Sequence, residues 1–220
     1  MIKKSNGLVI SGIFFIMLFF ISSCHKENTS FDYTQAVETV GDYVAAQQMT
    51  DLLLNTYFKS ITDSVLLTDG FDTIDGANVS YTPNPATIII SYPWCIYDGY
   101  GHIRKGIIEA TSSTGFFDSL DVINLTFKNF FYDNDSVTVG SLSITNKGLS
   151  TDNNYLFDIN ASNIYRQTRD SLDNVTSMLY NMEQTFILHK DMESPYHTQN
   201  DFFNITGNLW GNARNGYSFA

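Results

Sequence analysis

Cysteine, proline and positive charge are all scarce in this chain, and each scarcity excludes something. Two cysteines, Cys24 and Cys95, rule out a disulfide-stapled scaffold, so stability has to come from packing. Four prolines beside 15% aromatic residues argue against a disordered chain. Twelve basic residues against 23 acidic ones give a formal charge of −11. Such a surface repels phosphate backbones and anionic head groups, which excludes nucleic acid and direct electrostatic membrane binding as partners. Long apolar runs are scarce too. The single one, residues 8 to 21, is broken by Ser11 and Gly12 and falls short of the roughly 20 residues a membrane span needs.

What is present at the start is an export signal. Lys3 and Lys4 precede the apolar run, and the small residues Ser22 and Ser23 follow it, the order of n-region, h-region and cleavage site. Ile21-Ser22-Ser23-Cys24 resembles the lipobox of bacterial lipoproteins. The resemblance implies that the Cys24 thiol receives diacylglycerol, that residues 1–23 are removed, and that the new amino group is acylated in turn. Each buried methylene adds about 0.8 kcal/mol, so two or three chains anchor a protein where one does not. His25 stands where an aspartate would signal inner-membrane retention, which favours the outer membrane; periplasmic-facing and surface-facing orientations stay open. Residues 24–33 read as a polar tether. The mature chain keeps ten basic and 23 acidic side chains, a formal charge of −13. With Cys24 acylated no intramolecular disulfide can form, and Cys95, next to Trp94, is expected to be a small buried hydrophobe.

The body divides at about residue 68. Over 34–67 the apolar residues Ala45, Met49, Leu53, Tyr57, Ile61 and Val65 recur every fourth position and share one face of a helix, with Asp63 a point where it breaks in two. Residues 68–86, rich in Asp, Thr, Gly, Asn and Pro, read as a linker. From 87 to 220, short β-branched and aromatic stretches alternate with turn clusters. Strands are expected at about 87–92, 105–112, 120–131, 136–146, 155–164, 175–189 and 202–209. In the third, Ile123, Leu125 and Phe127 alternate with Asn124, Thr126 and Lys128, the pattern of an antiparallel sheet with one buried side. Short connections favour a meander. The expected fold is mainly β: a curved antiparallel meander sheet or open barrel of about seven strands with the helix on its concave face, or alternatively a β-sandwich. The alternating tail Gly216–Ala220 is either a closing strand or the point where a longer domain is cut short, leaving an edge.

Four stretches carry a resemblance over residues 85 to 220: Asp98-Gly99 with His102-Ile103-Arg104-Lys105-Gly106-Ile107-Ile108; Leu125 to Phe130; Val139-Gly140-Ser141 with Thr145-Asn146; and Phe203-Asn204-Ile205-Thr206-Gly207 with Asn215-Gly216. The chain resembles a family of Bacteroidota lipoproteins that pair an N-terminal helical segment with a repetitive β-domain. The resemblance implies a fold and no activity.

Catalysis needs convergent groups, and none of H-E-x-x-H, C-x-x-C, G-x-S-x-G or a P-loop occurs. His102, His189 and His197 carry no metal-ligand spacing. Asp69, Asp72 and Asp75, and the turn Asp133-Asn134-Asp135, offer oxygens for calcium but lack the alternate spacing of a calcium loop, and turns favour Asp and Asn anyway. Asp followed by Ser or Thr and an aliphatic residue occurs at Ser64, Thr73, Ser119, Ser136 and Ser171. This resembles the O-glycosylation sequon of exported Bacteroidota proteins, with turn chemistry the competing explanation. The expected function is therefore a cell-envelope lipoprotein held to the bilayer through acylated Cys24, a non-enzymatic module for a protein or glycan partner, with no catalytic residues, cofactor or metal. A half-barrel carrier of a lipophilic ligand is the second reading and a hydrolase with a dispersed site the third.

Overall fold

The computed structural model describes residues 33–98, 100–169, 171–189 and 202–220. The expected signal, Cys24 and His197 lie outside them. Helix α1 (Tyr33–Thr62) is rich in β-branched and hydroxyl residues, poor helix formers. Its hydroxyls fold back on their own turn: Thr50 Oγ1 donates to the Ala46 carbonyl at 2.9 Å and Ser60 Oγ to that of Thr56 at 2.8 Å. This satisfies polar groups that are fully buried. A helix of this composition depends on packing, and it buries Met49, Leu53, Leu54, Tyr57, Phe58 and Ile61.

At Asp63 the chain turns extended, and the carboxylate caps a second short helix, α2 (Ser64–Asp69), by accepting from the Leu66 N–H at 2.7 Å; Gly70 in the left-handed region ends it. The break expected there is present, and it explains why Val65, which continues the every-fourth pattern, is exposed.

Among the described residues ten antiparallel strands follow in one meander: β1 (Phe71–Ile74), β2 (Ala77–Pro83), β3 (Ala86–Tyr97), β4 (Ile103–Ser112), β5 (Val122–Tyr132), β6 (Asp135–Leu149), β7 (Tyr155–Arg169), β8 (Val175–His189), β9 (Phe202–Asn212) and β10 (Ser218–Phe219). Among the described residues the sheet is single and not closed, since β1 and β10 each have one strand neighbour, and this sets aside the sandwich. All seven expected strands are present. The correction concerns 68–86, which holds β1 and β2 rather than a linker. Asp75 and Gly76, both with positive φ (47° and 77°), join them in a two-residue turn with Ile74 opposite Ala77. That is the backbone the right-handed twist of a hairpin selects, and Asp-Gly is its sequence signal.

Alternate residues of the strands point at the helix: Ile88 and Ile90, Ile123 and Leu125, Phe157 and Ile159, Tyr180 and Met182. Phe58 anchors the contact, its ring 4.8 Å from that of Phe157, 5.0 Å from Phe203 and 5.8 Å from Phe186. Between Met49, Leu53, Leu125 and Ile164 only about 10 Å³ of void is left, room for a single water at most.

Two buried ionic clusters tie the layers. Arg104 is fully buried; Asp98 Oδ2 lies 2.9 Å from its Nε and 2.6 Å from Nη2, while Nη1 donates to Thr56 of the helix and to the Tyr92 hydroxyl. Burial pushes the Asp98 carboxyl up, but the N–H groups of Tyr100 and His102 and the Arg104 guanidinium outweigh it and hold it below its usual value. In the second cluster Asp135 accepts from Arg166 at 2.5 Å and Arg214 at 2.6 Å, and Arg214 also reaches Asp42 of the helix at 2.7 Å. Breaking a buried pair from one side costs more than the pair itself contributes, because a charge is stranded. Arg104→Met should lower unfolding stability by about 3 kcal/mol at pH 7, measured by urea denaturation. Since the folded carboxyl lies below its unfolded value, the stability it lends is present above about pH 4 and lost as pH falls through the folded value, so the deficit of the variant should shrink in acid.

Candidate functional site

The sheet does not close around α1, and one stripe of the helix stays uncovered. Val37, Val40, Val44, Gln48, Asp51, Asn55, Lys59 and Thr62 are spaced three or four apart and so share a face; the three valines are 70%, 61% and 54% exposed. Two cavities lie along this stripe.

The cavity at the C-terminal half of the helix has a volume of about 530 Å³. The helix and its break contribute Asn55, Phe58, Lys59, Thr62 and Asp63; β1 and its turn contribute Thr73, Ile74 and Asp75; the β3–β4 connection contributes Tyr100, and β8 and β9 contribute Leu188 and Phe203. Strands from both ends of the sheet therefore wall it. At its centre Lys59 Nζ donates to Asp75 Oδ1 at 2.7 Å and to the Tyr100 hydroxyl at 3.1 Å, and sits 5.5 Å from the Tyr100 ring centre. Thr56 donates to the other Asp75 oxygen at 2.8 Å. Burial pulls Lys59 down, but the bonds to Asp75 and Tyr100 and the Asp75 charge outweigh it and hold the ammonium above its usual value, so it is charged at neutral pH. Asp75 is placed by its turn: a Cβ on Gly76 would come within 2.9 Å of the Ile96 side chain, so the turn rests directly on β3.

A second cavity of about 520 Å³ is lined by Tyr43, Val44, Gln47, Gln48, Asp51 and Leu52. Burial raises the Asp51 carboxyl to about 6, against the pull of the Gln47 amide that donates to it at 2.6 Å.

Three aromatics are exposed near the β3–β4 end: Trp94 (78%), Tyr97 and Tyr100. Tyr92 pairs with Gly106 and Ile96 with Arg104, so Pro93, Trp94 and Cys95 together oppose one residue. This bulge overturns the expectation for Cys95: its thiol is exposed, not buried.

The other sequence candidates do not converge. Ser64 begins α2, Thr73 is in β1 on the cavity wall, and Ser119 and Ser171 are in turns; all four are exposed. Ser136 is half-buried in β6, and the Asp135 before it is taken up by arginines. Asp75 and Asp135, each an end of an acidic series, are spent on ion pairs, and among the described residues no three His, Cys, Asp or Glu side chains group as metal ligands. His102 lies 3.1 Å from Asp133 and 3.1 Å from Gln48 and stacks on Tyr132, and His189 lies 3.0 Å from Asn204. Lys59, Asp75 and Tyr100, the centre of the cleft, carry no joint signal in sequence, being 16 and 41 positions from one another through Lys59.

Among the described residues no helix is long and apolar enough to cross a membrane. Compared with known proteins, the chain matches no family model, no curated protein and no solved structure.

The Asp51 carboxyl is a cost at neutral pH. Its folded value lies above the unfolded one, so stability is greatest below about pH 4 and falls as pH rises to about 6. Asp51→Asn should therefore be more stable than the parent by about 1 kcal/mol at pH 8, after allowance for solvent screening, with the difference shrinking toward pH 4. Thermal unfolding of both proteins across that range checks it.

Proposed function

We propose that this chain is a lipid-anchored lipoprotein of the bacterial outer membrane, of the Bacteroidota kind, and that it acts as a non-enzymatic module binding an envelope protein or a glycan. The address rests on Lys3 and Lys4, the apolar run and Ile21 to Cys24. The binding role is supported by one observation above all. The apolar space around Met49, Leu53, Leu125 and Ile164 is nearly closed, whereas the roomy cleft at the other half of the helix brings Asn55, Lys59, Asp63 and Asp75 together with Tyr100 and Phe203. A cleft of this volume is in the range of small-ligand sites, and its polar lining suits a polar partner. A carrier of lipophilic molecules needs the reverse, an empty apolar interior. The exposed hydroxyls of Ser64, Thr73, Ser119 and Ser171 suit O-glycosylation on the same outward-facing body.

Native mass spectrometry of the protein extracted from its own membrane tests this reading. The expected species starts at Cys24, carries covalent diacylglycerol or triacyl mass that Cys24→Ser abolishes, and holds no further lipid. A stoichiometric non-covalent lipid would replace the module by the carrier, and an unprocessed, unacylated N-terminus would remove the envelope address altogether.

A further inference from the structure

We infer that the cleft around Lys59 holds a neutral sugar ring, an inference that rests on reading the chain as a binding module and names its ligand class. The lining divides by chemistry. Half-buried Phe203 and half-exposed Tyr100 supply carbon surface, above a floor of buried Phe58 and Leu188. Asn55, Lys59 and Asp63 supply hydrogen-bonding groups at the same cavity. A pyranose divides in the same way, into C–H faces that stack on aromatic rings and a rim of hydroxyls that both donate and accept.

The unused bonding capacity suits hydroxyls. Lys59 spends two of its three N–H donors on Asp75 and Tyr100, and Asp63 accepts from the Leu66 N–H with one carboxylate oxygen, Oδ1. Asn55 uses an amide N–H on the Tyr100 hydroxyl at 3.4 Å, leaving its carbonyl oxygen. Neighbouring sugar hydroxyls can accept from the first group and donate, one each, to the other two. Tyr100, half exposed at the cleft, has its hydroxyl held by the Lys59 ammonium and the Asn55 amide, which leaves its ring face for stacking.

Other ligand classes meet a penalty here. An alkyl chain would strip water from Lys59, Asp63 and Asp75 with nothing to replace it. An anion faces two carboxylates against one ammonium, and that ammonium is already paired. A metal cation faces Lys59 itself. The volume of about 530 Å³ is that of a small-ligand site, ample for a sugar unit.

Saturation-transfer NMR on the mature lipoprotein, held in micelles of a detergent without a sugar head group, tests the inference. The probes are maltotetraose, xylotetraose, mannotetraose and N-acetylchitotetraose, with tetragalacturonate as the anionic counterpart. At least one neutral probe should bind, and Tyr100→Ala and Asn55→Ala should each weaken it tenfold or more while circular dichroism and melting temperature hold. Trp94→Ala, on the exposed bulge, should leave binding unchanged. Neutral binding that survives both cleft variants, binding of tetragalacturonate alone, or no binding of any neutral probe would each overturn the sugar assignment. None of these touches the wider module reading, which fails instead on a non-covalent lipid in the native mass spectrum.

Discussion

Everything in this structure depends on one exchange of surface: a ten-stranded sheet with a single apolar face is covered by a helix that cannot stand without it. An antiparallel sheet can leave one side to water only if the other is buried. Here the other side curls around α1, and the helix, built largely from Thr, Val, Tyr and Gln, gains its stability from Met49, Leu54, Phe58 and Ile61 in that curl. Fully burying a side chain of this size contributes roughly 1.5–3 kcal/mol, which outweighs any helix propensity in the segment. The same exchange explains the cleft. Because the sheet stops short of closing, the helix keeps an uncovered stripe, and polar residues on it meet strands from both ends of the meander.

Apolar burial alone would let the helix slide or rotate in its trough, and the two ionic clusters oppose this. Arg104 reaches Thr56 from β4, and Arg214 reaches Asp42 from the turn before β10, so one cluster holds each half of the helix. Both clusters are hydrogen-bonded on several sides, the condition under which buried charge is tolerated. With the helix fixed in this way, Lys59 is delivered to Asp75 and Tyr100 rather than to bulk water.

Much of the scaffold is legible in the residues themselves. Period-two alternation marks seven strands, and the recurrence from Met49 to Ile61 marks the buried helix face, because both patterns report directly on which side meets the core. Composition misleads where a strand is short and polar. β1 and β2 look like linker because Asp, Thr, Gly and Asn dominate them, although the Asp75-Gly76 pair alone carries the hairpin signal. Cys95 is misread because a bulge flips the side facing the core and leaves no mark in composition. The cleft is not legible at all. Asp98 proves to be the partner of Arg104, and Lys59, which no sequence pattern singles out, proves to be the partner of Asp75. Their roles come from contacts across the meander, which no local pattern encodes.

Native-state hydrogen exchange in low denaturant tests most directly whether helix and sheet are one unit. The amides of Leu54, Phe58 and Ile61 should exchange with the same opening free energy, and the same denaturant dependence, as those of Ile159 and Tyr180 in the middle of the sheet. Helix amides that open at distinctly lower free energy while the strands keep their protection would show a sheet that stands by itself, and the dependence on the helix would be wrong.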